Sequence, residues 1–262
     1  MIRLLSTIRG QTLKQQPQAA AGGVLAPGNG PGTTDKGRTM SKHLVRDLEN
    51  LQRQILTMAG YVEEAIYKSI QALQEHDKSM AYDVVTADDK VDELDNTVTE
   101  ECLKLLALHQ PVASDLRRIA TTFMITTDLE RMGDLATDIA ERAIVLATPN
   151  STPIPDKLPR MTDLTTAMVR QSLDAFVNMD AKQARRVIRL DDEVDRYNAD
   201  IIAELMARMK ANPDTIESNL SLFSAVRHLE RIADHATNIA EDVLYLVDGE
   251  LVRHRHQAID DE

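Results

Sequence analysis

Four acidic pairs spaced four residues apart carry the chemistry this sequence could do: Asp88 with Asp92, Glu130 with Asp134, Asp191 with Asp195, and Glu230 with Asp234. On a helix that spacing puts both members of a pair on one face. Facing carboxylates offer an all-oxygen donor set, which suits hard or intermediate cations such as magnesium, manganese or iron. No cysteine or histidine cluster is present, so zinc is the less favoured ion, though carboxylates also bind it. One pair alone carries little weight, because 42 acidic residues among 262 give about seven such pairs by chance, most on solvated faces.

Geometry lifts these four pairs above that background. A helical hairpin reversing between Asn212 and Pro213 places Asp195 and Glu230 each 17.5 positions from the turn, and Asp191 and Asp234 each 21.5. A constant rise per residue then sets the two pairs level across the hairpin. A reversal between Gln110 and Pro111 does the same, within one residue, for Asp92 with Glu130 and Asp88 with Asp134. Each half of the chain therefore gathers four carboxylates. Like charges at this spacing cost a helix roughly 0.2–0.5 kcal/mol per pair, and a facing pair adds to that repulsion. Two readings follow: the clusters hold cations, or they are solvated and paired with Lys and Arg. Arg131 and Arg231, each beside its glutamate, could pair with the acids or brace them as ligands.

The elements that position these acids are helices. Apolar residues three or four apart begin at Leu44 and continue through Leu48, Leu51, Ile55, Met58 and Val62. Six helices are predicted, over 40–75, 78–108, 112–147, 158–179, 181–211 and 214–247. Breakers separate them: Pro111, the prolines at 149, 153, 155 and 159, and Asn212 with Pro213 as N-cap and first helical residue. The apolar seam of the third helix runs through Phe123, Leu129, Met132, Ala136, Ile139 and Ala143, which sets Glu130 and Asp134 at its flank, in a surface groove. Nothing reads as strand.

The chain also repeats itself. Shifted by 103, Ser69, Asp77, Ala81, Asp88, Asp89, Val91 and Asp92 match Ser172, Asp180, Ala184, Asp191, Asp192, Val194 and Asp195. Shifted by 100, the fourteen residues from Asp128 match those from His228 at nine positions. The expectation is an all-α chain of two tandem three-helix bundles, residues 40–148 and 158–248, with a leader over 1–39 and a charged tail over 249–262.

Composition narrows the function. Aromatic residues make up 3% and there is no Trp, so the apolar content is aliphatic and Met, as helix-on-helix packing uses. Seven of ten glycines lie in the leader with five basic residues and one acid, a composition expected to be disordered. It reads as an extension ahead of a start at Met40, or as a transit peptide. The leader's +4 within a chain total of -12 leaves -16 on the rest, which argues against nucleic acid as a partner. The lone Cys102 forms no intrachain disulfide, fits a reducing cytoplasm and reads as a small helix residue. No run reaches the length of a membrane span, so membrane association is at most peripheral.

Several segments, in order and in register with the duplication, resemble the PhoU family: QPVASDLRRI from Gln110, DLERMGD from Asp128, HLERIADHATNIAE from His228, and YLVDGELVRH from Tyr245. The resemblance spans roughly residues 40–256. It implies two three-helix bundles with multinuclear metal clusters on the (E/D)xxxD motifs, hence ligands at the eight carboxylates. It further implies a cytoplasmic, commonly dimeric repressor of the phosphate-starvation response, acting between the high-affinity phosphate ABC transporter and its sensor histidine kinase. This chain departs from internal symmetry where Asp138 matches Asn238 and Gly133 matches Ala233, so the two sites are expected to differ; Asp138 and Asn238 join Arg131 and Arg231 as residues bracing the sites or facing a partner.

Two rivals stand beside this reading. A ferritin-like di-metal oxidoreductase needs an ExxH motif on each of two helices, and none of the seven histidines has Glu three residues before it. A metal-free helical adaptor shares the fold and differs only in binding no ion. His254 and His256 read as solvated tail residues, and His228 and His235 as groove or partner-surface residues rather than ligands. With no nucleophile beside a base, no glycine-rich phosphate loop and no nucleotide motif, the chain is not expected to be an enzyme.

Overall fold

The computed structural model describes residues 42–148 and 152–249. The expectations for the leader, for His254 and His256 and for most of the tail lie outside them. Among the described residues there are seven α-helices and no strand: α1 Lys42–Glu75, α2 Lys78–Ala87, α3 Asp89–His109, α4 Ala113–Leu146, α5 Leu158–Asn178, α6 Ala181–Ala211 and α7 Ile216–Asp248, with a 3-10 turn Pro213–Thr215 before α7. None of these helices is long and apolar enough to cross a membrane.

Repeated residues explain the matching helix starts. Asp77 and Asp180 are N-caps whose carboxylates accept from the backbone N–H groups of Ser79 and Met80, and of Lys182 and Gln183. Ser69 and Ser172, wholly buried, return their hydroxyls to the carbonyls of Ile66 and Val169. Ala81 and Ala184, Val91 and Val194 fill the same core positions in both halves. Turns also fall where expected: Gln110 takes the left-handed conformation that ends α3, and Asn212 caps the turn at Pro213 through Asp214 N–H.

Three expectations are corrected. The second predicted helix, 78–108, divides at Asp88 into α2 and α3, while its counterpart α6 runs unbroken. Close packing accompanies the break: a Cβ on Gly133 would sit 3.2 Å from Val91 Cγ1 and 3.5 Å from Asp88 Oδ1. The last helix starts at Ile216, its first residues being taken by the 3-10 turn. Phe123 is 41% exposed and leaves the seam, which runs instead through Ile119, Ile125, Leu129, Met132, Ala136, Ile139 and Ala143. Glu130 and Asp134 still lie at its flank, partly buried.

The described residues form one compact unit. α1 packs on α2, α3 and α4; α5, α6 and α7 pack on one another; the most extensive helix pairing of all joins the two bundles, α4 against α7, with a smaller contact between α1 and α5. The α4–α7 seam has approximate two-fold symmetry, legible in its polar contacts. Asp128 accepts from His235 at 2.8 Å and from Asn238 at 3.3 Å. At the matched place His228 lies 3.6 Å from Asp138 and hydrogen-bonds Ser224 at 3.0 Å. His235 thus ties the bundles together, whereas His228 lies beside Asp138 with its Nδ1 buried and without a hydrogen-bond partner; both are partly buried at the seam. Across α1 and α5, Arg170 donates to the buried Glu63 at 2.9 Å.

Candidate cation-binding grooves

In the first bundle α3 and α4 bring the expected acids face to face. Asp88 titrates above the ordinary carboxylate value, first because it is partly buried and then because Asp92 and Asp134 repel its charge, while the Thr137 hydroxyl opposes the shift. Glu130 is raised for the same leading reason, then by Asp134, with Asp95 and Asp92 adding and Arg131 opposing. All four expected residues of this half therefore share one electrostatic neighbourhood. A fifth acid, Asp95, belongs to it: its value is raised by burial and by Asp92. Asp95 escapes a search for (E/D)xxxD because it stands three residues from Asp92, but three is also a same-face spacing, and that signal was available.

The second bundle repeats the pattern on α6 and α7. Burial raises Glu230, followed by repulsion from Asp234 and Asp195. Asp234 is raised by burial and then by Asp195. Asp191 lies one turn before Asp195 on the uninterrupted α6, partly buried. The residue matching Asp95 is Asn198, buried, with an Oδ1 that has no hydrogen-bond partner. This half is thus one charge short of the first.

Arginines enter both clusters, as the ion-paired reading allows. Arg131 reaches Glu130 at 3.4 Å and Asp134 at 3.3 Å. In the second bundle Arg227, not Arg231, makes the pair, at 2.8 Å from Glu230 Oε1; Arg231 acts on Asp234 only through its field. Arg227 stands three residues before its partner and Arg131 one after, so one shift register does not relate them. Asp138 and Asn238 are at the α4–α7 seam, one helical turn beyond Asp134 and Asp234.

In kind, the donors suit a hard cation: the carboxylates, of which Asp88 and Glu130 are partly buried, Glu230 buried and Asp92, Asp195 and Asp234 exposed, repel one another, and Glu230 Oε2 is buried without a hydrogen-bond partner. Among the described residues, however, no three His, Cys, Asp or Glu side chains converge closely enough to hold one ion as they stand. Rotamer changes would have to draw them in. Cys102 is buried, and burial pushes its thiol up to about 12, so it offers neither a thiolate ligand nor a nucleophile.

Known proteins resemble the chain over this same architecture. The PhoU domain model matches twice, at residues 55–143 and 158–243. The phosphate-specific transport system accessory protein PhoU homolog of Pseudomonas putida is 39% identical over 216 residues, covering 82% of this chain and 84% of that protein. Its Aquifex aeolicus counterpart is 39% identical over 213 residues, with coverage of 81% and 96%. Among solved structures, PhoU from Pseudomonas aeruginosa superposes with a TM-score of 0.77 at 38% identity, covering 79% of this chain and 100% of that one. The phosphate transport system regulatory protein PhoU from Streptococcus pneumoniae gives 0.76 at 31%, with coverage of 80% and 99%. With both repeats matched and relatives covered over most of their length, this chain belongs to the PhoU family.

Proposed function

We propose that the chain is a non-catalytic accessory regulator of phosphate-specific transport that represses phosphate uptake and the phosphate-starvation response by binding, at the cytoplasmic face of the membrane, between the high-affinity phosphate ABC transporter and its sensor histidine kinase. The observation that carries this is the family match over both bundles, with relatives at 39% identity named phosphate-specific transport system accessory proteins. An acidic chain of packed helices fits a binding role. Deleting the gene should raise expression of a phosphate-starvation reporter several-fold in phosphate-rich medium, and supplying the gene again should restore repression. Unchanged reporter expression in the deletion strain would overturn the reading.

As part of this proposal, Asp88, Asp92, Glu130 and Asp134 would hold one set of cations, and Asp191, Asp195, Glu230 and Asp234 another, with iron, manganese or magnesium favoured over zinc. A bound cation would supply positive charge that offsets the carboxylate repulsion and ties α3 to α4 and α6 to α7. Support comes from the donor chemistry and from the raised carboxylates. Replacing Asp191, Asp195 and Asp234 with Asn and Glu230 with Gln should remove the second set of ions with helicity kept, by elemental analysis of untagged protein beside circular dichroism. Unchanged metal content would leave the acids to their arginines. The protein is further proposed to act as a homodimer, which sedimentation can read.

A further inference from the structure

The smaller of the two joins between the bundles, α1 against α5, opens into a cleft of about 550 Å3, within the range that small organic ligands occupy. At one end Arg170 donates to Glu63, and from that ion pair the cleft extends toward the end of α1 and the start of α5. Its lining is part apolar. Ile70 and Ala167 supply aliphatic surface, and Tyr67, 61% exposed, supplies an aromatic ring. Hydrogen bonds already made decide what the polar groups have left to offer. The hydroxyls of Thr162 and Thr166 donate to the carbonyls of Leu158 and Thr162, each at 2.9 Å. Only their lone pairs remain for a guest. Asp163 and Glu75 add two carboxylates, the latter steadied by an N–H from Gln71 at 2.9 Å, and carboxylates accept without donating. Among the described residues that line the cleft the one cation is Arg170, and Glu63 already holds it.

We propose that this cleft binds an ammonium group carried on a methylene stem, its N–H donors directed at Thr162, Thr166, Asp163 and Glu75 and its stem laid along Ile70, Ala167 and the Tyr67 ring. The site goes beyond the regulatory reading and is separate from the carboxylate clusters, whose acids stand on other helices. Two independent features select the guest. The first is the excess of acceptors over donors, which a guest rich in N–H groups satisfies. The second is the aromatic wall: Lys90 lies 5.6 Å from the centroid of the Tyr61 ring earlier on α1, and Tyr67 offers a guest the same kind of contact. An anion meets the reverse. A phosphate group would face two carboxylates and two hydroxyls with no hydrogen left to give. A free polyamine and the Lys side chain of a partner protein share the required chemistry. Either would touch both bundles at once and so stabilise the α1–α5 join.

Isoleucine-methyl NMR of the full chain tests this, with magnesium in excess so that added amines do not act by occupying the acid clusters. The Ile70 methyl reports on the cleft, and that of Ile119, in the core of the first bundle, serves as control. The probes are spermidine, a Lys-Lys-Lys peptide blocked at both ends, and inorganic phosphate. Spermidine or the peptide should shift Ile70 with half-saturation below about 1 mM, and Ile119 should stay in place. A response to spermidine marks a site for free amines; a response to the peptide alone marks a site for a partner's lysine. Phosphate should move neither methyl. Glu75→Gln together with Asp163→Asn should weaken the Ile70 response roughly ten-fold; both residues are exposed, and circular dichroism would verify the fold. Should that variant misfold, Tyr67→Ala replaces it. No saturable shift of Ile70 with either amine, an undiminished shift in the variant, or a shift with phosphate would overturn the proposal. None of these outcomes touches the regulatory reading, which the reporter strain tests separately.

Discussion

Asp234 shows what the acid clusters do to the ion-free protein. Its folded-state value lies above the ordinary one, from burial first and then from Asp195. A carboxyl raised on folding contributes its stability in full below the unfolded value of about 3.9 and loses it as pH rises through the folded value. At neutral pH its charge therefore works against the fold. Asp234→Asn should stabilise the chelator-treated protein by about 0.2–0.5 kcal/mol at pH 7, a gain that vanishes near pH 3. Paired thermal melts at the two pH values would check it; a variant less stable than the parent at pH 7 would show that Asp234 has a favourable partner. Spacing and the hairpin count brought out Asp88, Asp92, Glu130 and Asp134 in one bundle and Asp195, Glu230 and Asp234 in the other, acids that act on one another's charge. Asp95 falls outside the repeated motif, its counterpart being Asn198, so that only its same-face spacing of three from Asp92 marks it in the sequence. The Asp128 to His235 contact was illegible: it joins residues 107 apart across a seam that no local pattern specifies.

Helices were the most legible level, since apolar spacing and breakers act locally, and α6 spans the residues expected of it. The duplication sharpened this by separating capping residues from chemistry: of the matched pairs, Asp77 and Asp180 turn out to be N-caps, whereas Asp88 and Asp92, and Asp195 in the second bundle, act on the charge of other acids. Where the sequence misled, tertiary contact had overridden local preference. Nothing local stops a helix at Asp88, and the same positions in α6 stay helical; the facing helix differs too, with Gly133 in one bundle and Ala233 in the other, and a Cβ on Gly133 would sit 3.2 Å from Val91 Cγ1. The two caps should be nearly equivalent. Asp77→Ala and Asp180→Ala should each destabilise the protein by about 1 kcal/mol, and the double variant by close to the sum, because distant sites without shared partners add. Chemical denaturation would measure this. A loss at Asp180 several times that at Asp77 would mean that the second cap does more than end a helix.

At the scale of the whole molecule, two bundles encoded as separate repeats act as one body. The α4–α7 pairing is the largest helix contact present, and it buries Leu135 as well as the Asp128 and His235 pair. Residues 42–148 alone would leave that face of α4 in water, exposing apolar surface at roughly 25 cal/mol per Å2 and leaving Asp128 without its imidazole. The face cannot be capped simply by a second copy of itself, because an α4–α4 seam would meet Asp128 with Leu135 where the native seam supplies His235. Approximate symmetry is thus not interchangeability: each bundle carries the half of the polar seam that the other lacks. The isolated segment 42–148 should therefore either melt more than 10 °C below the full chain or self-associate, whereas mixing it with residues 152–249 should restore a one-to-one complex. Sedimentation and thermal melts of each piece and of the mixture would read both outcomes. A first bundle that stays monomeric and melts with the full chain would show that the seam joins two independently stable domains, and that coupling between the two carboxylate grooves cannot pass through it.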